Sequence, residues 1–172
     1  MDDKLFKAIS INELNQYSID LFSCGNDSLD SYFHKYAKIN NKIGIGKTFV
    51  LIDQSEHVVG FYTVSMASID FLHVPKNFQK SLPKYPVPVA RIGRLAVDVT
   101  YQGKKFGSVL LLNALKRIYE ASKAVAAYAV IVDAKDDRAK GFYEHHGFVS
   151  YKDEPLSLFL PISTVNELFE YR

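Results

Sequence analysis

Between residues 89 and 132 the chain reads as a strand, a polar glycine-bearing turn, a long amphipathic helix and a second, almost wholly apolar strand. Few folds accept that succession. Ala127 to Val132 offers no polar face, so the sheet must be covered on both sides at that point. The helix over 106–122 sets Leu111, Leu115, Ile118 and Tyr119 on one stripe, which gives it a side to pack. The flanking segments continue the alternation. Leu29, Tyr32, Phe33 and Tyr36 recur at helical spacing after Asn26, an N-cap residue type, and predict a helix over 27–41 that ends at Gly44 and Gly46. Thr48 to Ile52 and Val58 to Met66 are β-rich runs, joined by the polar hairpin loop Asp53 to His57. Pro75 to Pro88 reads as an irregular crossing. A short helix from Asp136 to His146 stops at Gly147, and Phe148 to Tyr151 and Ser157 to Leu160 close the sheet. The order predicts an α/β fold with a mixed, three-layer arrangement of sheet and helices.

A length of 172 residues suits a single domain over 1–172. Lysine and arginine number 21 against 19 acidic residues, so any surface for nucleic acid must be local rather than global. Cys24 is the only cysteine, which excludes an intramolecular disulfide. Met1 to Lys4 lack the layout of a signal peptide, and no apolar run approaches membrane-spanning length. A cytoplasmic protein with no membrane partner is the expectation.

The chemistry concentrates where the strand Val89 to Val97 gives way to Gln102-Gly103-Lys104-Lys105-Phe106-Gly107-Ser108 and the helix behind it. A helix N-terminus offers unpaired N–H groups and the positive end of a dipole. Glycines let the backbone approach an anion, and Lys104 and Lys105 add charge, so a phosphate or pyrophosphate is one reading. A plain strand-to-helix turn is the other. The loop has no Gly-Lys-Ser/Thr end and no dinucleotide fingerprint.

Context adds to this. Arg94-Leu95-Ala96-Val97-Asp98, then the Gln102–Gly107 loop, then Ala139, Phe142, Tyr143, Gly147 and Phe148 resemble consecutive landmarks of the GNAT acetyltransferases. The resemblance covers about Phe22 to Pro161. It implies a mostly antiparallel central sheet flanked by helices, acetyl-CoA as cofactor and no metal. It implies cofactor contacts from Leu95, Ala96, Val97, Gln102, Gly103, Lys104, Lys105, Phe106, Gly107, Ser108, Asp136 and Phe142. Val97 would lend a backbone N–H to the thioester oxygen, and Tyr143 would meet the departing thiolate. Two positions leave the family pattern. Lys105 stands where a glycine is usual, and left-handed geometry there would cost roughly 1–2 kcal/mol. Asp136 replaces an asparagine and lacks its amide donor.

Phe22 to Gly25, Leu29, Ala37, Gly46 to Val50 and Gly93 to Asp98 are further similar to the TacT-type GNAT toxins of toxin–antitoxin pairs. That likeness implies an aminoacyl-tRNA acceptor and a ribbon-helix-helix antitoxin, and a homodimer is compatible with it. An α-amino group, with a pKa near ~8, needs little help from a general base. Arg91, Arg94, Lys35, Lys38, Lys42 and Lys47 are the candidate RNA contacts, although lysines spaced along a helix also suit its solvated face. A small amine or peptide N-terminus as acceptor, or a non-catalytic acyl-CoA-binding module, are the competing readings. Cys24 reads as packing, and the adjacent His145 and His146 diverge on a helix and read as a surface end rather than a metal site.

Overall fold

The computed structural model describes residues 5–151 and 153–170. In chain order it builds β1 (Phe6–Ser10), α1 (Gln16–Leu21), α2 (Asp27–Lys35), α3 (Ala37–Ile43), β2 (Lys47–Asp53), β3 (Val58–Ile69), α4 (Lys76–Gln79) and β4 (Val87–Val97). Then come α5 (Phe106–Ser122), β5 (Ala129–Asp133), α6 (Asp137–His145), β6 (Val149–Ser150), β7 (Ser157–Pro161) and α7 (Ile162–Glu170). The seven strands follow the order β1-β2-β3-β4-β5-β7-β6. Neighbours β1/β2, β2/β3, β5/β7 and β6/β7 run antiparallel, and β4 pairs with β5 in parallel. Contacts divide the chain into two compact units, Met1–Ser65 with Gly93–Ala114 and Met66–Ile92 with Leu115–Arg172.

In the first unit, β2 sends Val50 and Ile52 into a core with Ile9, Ile11, Ile19 and Phe61, and Leu51 between them is buried as well, as in a strand covered on both faces. Phe22, Phe33 and Phe61 pack ring on ring there, with centroids 4.6–5.4 Å apart. The expected helix over 27–41 is two helices, because the chain turns at Tyr36. That turn leaves the Tyr36 ring outside while Ala37 is fully buried. It also lets α3 fasten to β2, where Asn41 Oδ1 accepts from the Thr48 amide at 2.8 Å. Gly44, at φ 83°, ends α3 in the left-handed conformation that glycine tolerates. The opposite side of the sheet meets α5, and Tyr62 Oη donates to Asn113 Oδ1 at 2.6 Å. Helices on both faces give the three layers.

The second unit holds the apolar strand β5, whose Ala129 to Val132 are all buried. Val87, Val89, Ala129, Ile131, Tyr151 and Phe159 form one core, and α7 stacks Phe169 on Tyr119 of α5 at 5.6 Å. The proline-punctuated crossing is more ordered than expected. It contains α4, and Gln79 Nε2 donates to the Val74 carbonyl at 2.7 Å. Strand β3 runs on to Ile69, past the expected end at Met66. Among the described residues, no helix is long and apolar enough to cross a membrane.

Candidate active site

The end of β4 is locked in place before the loop begins. Asp98 is buried, and its carboxylate accepts from the amides of Ser23 (3.1 Å) and Thr100 (2.9 Å). Its own N–H donates to the Val59 carbonyl at 2.9 Å. The Gln102 side-chain amide bridges the carbonyls of Cys24 (2.8 Å) and Val97 (2.9 Å). Strand end, loop and the segment 22–25 therefore form one stitched unit. Phe106 anchors the far side of the loop against Phe6 and Tyr101, with centroids 5.0 and 5.4 Å away. Tyr101 in turn donates to Asp53 at 2.6 Å, a bond that with burial pushes its phenol up to about 12.

Within this frame the backbone turns left-handed twice, at Gly103 (φ 75°) and Lys105 (φ 65°), before α5 starts at Phe106. The Val109 amide donates to the Lys105 carbonyl at 3.4 Å. The amides of Phe106, Gly107 and Ser108 precede that bond and so have no partner within the helix. At the head of a 17-residue helix they form a set of donors suited to a phosphate. Lys104 and Lys105 are exposed beside it. The backbone thus fits the pyrophosphate of acetyl-CoA, whereas the Gln102 side chain is spent on internal carbonyls.

Lys105 carries the strain that the sequence departure foretells. A side chain in left-handed geometry costs about 1 kcal/mol or more, and glycine avoids it. Lys105→Gly is expected to stabilise the fold by about 0.5–1 kcal/mol after the extra freedom of the unfolded chain is subtracted. Thermal denaturation checks this. A lower Tm would mean that contacts of the lysine side chain outweigh the backbone cost.

The strand just before the loop presents its own donors. The parallel ladder of β4 covers Val89 to Ile92 and stops there, before Leu95, Ala96 and Val97. Because Asp98 N–H points to β3, alternation aims the Val97 N–H at the opposite strand edge. The Val97 carbonyl on that edge is occupied by Gln102. Its N–H is the group left to meet an incoming oxygen. Gly60 on β3 makes the close approach possible: a Cβ there would lie 2.6 Å from both the Ala96 carbonyl oxygen and Leu110 Cδ1.

In the second unit, Asp136 caps α6, accepting from the Ala139 amide at 2.8 Å. Its acceptor oxygen thus serves the helix. Tyr143 is 8 % exposed and wedged between the rings of Phe142 (5.1 Å) and Phe148 (5.6 Å). Burial pushes its phenol up to about 12, and its hydroxyl makes no hydrogen bond among the described residues. His145 is exposed, as expected. His146 differs: it is half-buried, with Nδ1 2.8 Å from the Phe142 carbonyl at the helix end.

The basic candidates divide. Arg94 is exposed, and its guanidinium carbon lies 3.6 Å over the centre of the Tyr32 ring. Arg91 is half-buried in the second unit, with a buried Nε that has no hydrogen-bond partner. Lys38 and Lys47 donate to the carbonyls of Leu14 (3.0 Å) and Asn41 (2.9 Å), so both brace the fold. Lys35 and Lys42 are exposed on α2 and α3. Cys24 packs against the first unit's core, and burial pushes its thiol up to about 11, which suits packing and not nucleophilic attack. The sequence places Tyr32 only in a helical stripe and Asp98 only within the family motif, so their positions here go unread, and Gly60 goes unnamed although an isolated glycine inside a strand pattern is a signal.

A family model described as an acetyltransferase (GNAT) domain matches residues 45–150. A tRNA-acetylating toxin of Mycobacterium tuberculosis (strain ATCC 25618 / H37Rv) is 37% identical over 139 residues, 81% of this chain and 82% of that protein. A probable toxin TacT of Sinorhizobium fredii (strain NBRC 101917 / NGR234) is 29% identical over 163 residues, 90% of each. Among solved structures, a mutant of KacT superposes with a TM-score of 0.88 at 28% identity, covering 96% of this chain and 99% of that one. AtaT complexed with acetyl-methionyl-tRNAfMet superposes at 0.86 with 25% identity, covering 95% and 99%. The loop at the head of α5, the short parallel ladder of β4 and these matches agree: the chain belongs to the GNAT acetyltransferase family.

Proposed function

We propose that this enzyme transfers the acetyl group of acetyl-CoA directly to the α-amino group of an aminoacyl-tRNA, blocking translation as a toxin does. The observation that carries the acceptor is the 37% identity, over four-fifths of the chain, to a protein named for acetylating tRNA. The match to a toxin caught with an acetylated methionyl-tRNA supports it. The chain is taken to work in the cytoplasm as one catalytic domain over 1–172. A ribbon-helix-helix antitoxin is the expected partner.

Acetyl-CoA supplies an activated acyl thioester. The amides of Gly103 to Ser108 hold its pyrophosphate, with charge added by Lys104 and Lys105. Leu95, Ala96 and Val97 align the pantetheine arm along the strand edge, and the Val97 N–H donates to the carbonyl oxygen as negative charge grows there. Phe142 and Asp136 are the further cofactor contacts that the family resemblance implies. As the amine nitrogen bonds to the carbonyl carbon and the carbon–sulfur bond breaks, one proton must travel from nitrogen to sulfur. The neutral Tyr143 hydroxyl donates to the sulfur and is refilled from the nitrogen, so no group ends charged. An α-amino group is in part unprotonated at neutral pH, which removes the need for a dedicated base. Arg91, Arg94 and the lysines Lys35, Lys38, Lys42 and Lys47 receive the RNA, with Lys38 and Lys47 limited by their carbonyl bonds.

A competition of acceptors tests this reading. Aminoacyl-tRNA is expected to show the highest kcat/KM against deacylated tRNA, a polyamine and a short peptide. Preference for the polyamine or peptide overturns the acceptor assignment while leaving the acetyltransferase intact.

A further inference from the structure

The arrangement of Arg94 is more specific than a basic residue near RNA requires. Its guanidinium carbon sits 3.6 Å over the Tyr32 ring, at van der Waals contact. Tyr32 is buried, and its ring is stacked in turn on Phe61, with centroids 6.5 Å apart and planes 26° from parallel. Phe61 is fully buried and stacked on Phe33. The result is a pile of planar groups rising from the core and ending in an exposed guanidinium. No carboxylate forms a salt bridge with Arg94 among the described residues. One face of the guanidinium is seated on Tyr32, a ring with a buried support, and the Arg94 side chain is exposed.

A phosphate contact does not call for this. It needs the N–H edge of the guanidinium, which needs no aromatic floor beneath its plane. An exposed planar cation backed by an aromatic ring is instead suited to a flat π-system. Unpaired bases of RNA are taken up in this way, stacked on aromatic rings or on guanidinium planes. Arg94 also directly precedes Leu95, Ala96 and Val97, the strand residues assigned to the thioester. A base held on Arg94 would therefore belong to the single-stranded end that carries the amino acid.

We infer that the Tyr32–Arg94 stack is a docking platform for one unpaired nucleobase at the acceptor end of the RNA substrate. Tyr32 acts as a positioning residue that holds the guanidinium flat. The inference rests on the aminoacyl-tRNA reading and refines it from charge attraction to base stacking.

The test compares Arg94→Lys, Tyr32→Phe and Tyr32→Leu in the full chain, with acetyl-CoA saturating. The substrates are intact aminoacyl-tRNA and the same RNA with abasic sites in the single-stranded acceptor end. On intact RNA, Arg94→Lys and Tyr32→Leu are expected to raise KM by roughly 5- to 30-fold with kcat little changed, while Tyr32→Phe keeps wild-type behaviour. On abasic RNA, wild type and Arg94→Lys are expected to converge. 2-Aminopurine in the acceptor end should lose fluorescence on binding to the wild type and keep it with Arg94→Lys.

Arg94→Lys carries no risk to the core, so the result does not depend on Tyr32→Leu folding. An Arg94→Lys variant that matches wild type on intact RNA overturns the platform. So does an equal loss on intact and abasic RNA, which would assign Arg94 to a phosphate. In either case acetylation of tRNA by the wild type leaves the function standing. A wild type that acetylates other amines but no aminoacyl-tRNA overturns both.

Discussion

Tyr143→Phe is expected to lower kcat by about 10²–10⁴-fold while acetyl-CoA affinity stays within about twofold. The substitution removes one oxygen and keeps the ring. The contacts with Phe142 and Phe148 that seat the side chain are therefore retained. Burial keeps this tyrosine in its neutral, proton-carrying form. A free phenol ionises near ~10, and the same group under the apolar wall is pushed up to about 12. The sign follows from the cause: desolvation penalises the charged form, so the proton stays on the oxygen through the neutral and alkaline range. Any alkaline limb that Tyr143 adds to the rate profile belongs near 12 and not near 10. Stopped assays of thioester consumption measure kcat, and calorimetric titration with acetyl-CoA measures the affinity. Unchanged turnover in Tyr143→Phe removes it as the proton donor. A matching loss of affinity and turnover makes it a binding wall instead.

Gly60→Ala is expected to be the most damaging single methyl in the first unit. The new Cβ would stand 2.6 Å from the Ala96 carbonyl oxygen and 2.6 Å from Leu110 Cδ1. Leu110 belongs to α5 and is itself buried, so it has little space into which to swing. The carbonyl cannot rotate away, because it is part of the strand. Relief requires β3 and β4 to separate, at a cost of about 2–4 kcal/mol. A domain of this size should then lose roughly 5–15 °C in Tm. The same displacement moves Ala96 and with it the Val97 N–H, so the protein that remains folded should also turn over more slowly. An alanine variant with wild-type Tm and kcat would show that the two strands slide without penalty and that their spacing does not set the donor.

How much of this was legible in the sequence depended on how local the cause was. Helix α5 is legible to the residue, because a long stripe and a clear turn before it leave little freedom. The hairpin loop between β2 and β3 is equally plain, and the apolar β5 is legible as a strand although it runs from Ala129 to Asp133 and not from Ala127 to Val132. The N-terminal strand β1 and helix α1 went unread, and so did α7. Phe6 to Ser10 is short and lies at the sheet edge, where only Ile9 is buried, so its alternation is faint. Helix α7 opens on Ile162, Ser163 and Thr164, weak helix formers, and owes its shape to packing on the sheet. The break at Tyr36 could not be seen, since its cause is the buried seat of Ala37 and Asn41.

The candidate site divides in the same way. Lys105 in left-handed geometry followed from its glycine position in the family pattern, and the backbone bears it out. The roles of Asp98 and Gln102 as fasteners depend on Ser23 and Cys24, far away in the chain, and have no local signature. Tyr32 under Arg94 is the extreme case. Its helical spacing marks it as core, and nothing in the sequence announces that one face of its buried ring carries a guanidinium.

Direct transfer to the α-amino group is tested most simply by product identity. Purified enzyme is mixed with acetyl-CoA and an aminoacyl-tRNA, the RNA is cut with nuclease, and the terminal aminoacyl-adenosine is analysed by mass spectrometry. The expected product carries one added acetyl group on the amino acid nitrogen, and omission of acetyl-CoA abolishes it. Acetyl groups found on the RNA itself, or an unmodified aminoacyl-adenosine from an enzyme that still consumes acetyl-CoA with another amine, would contradict the assignment.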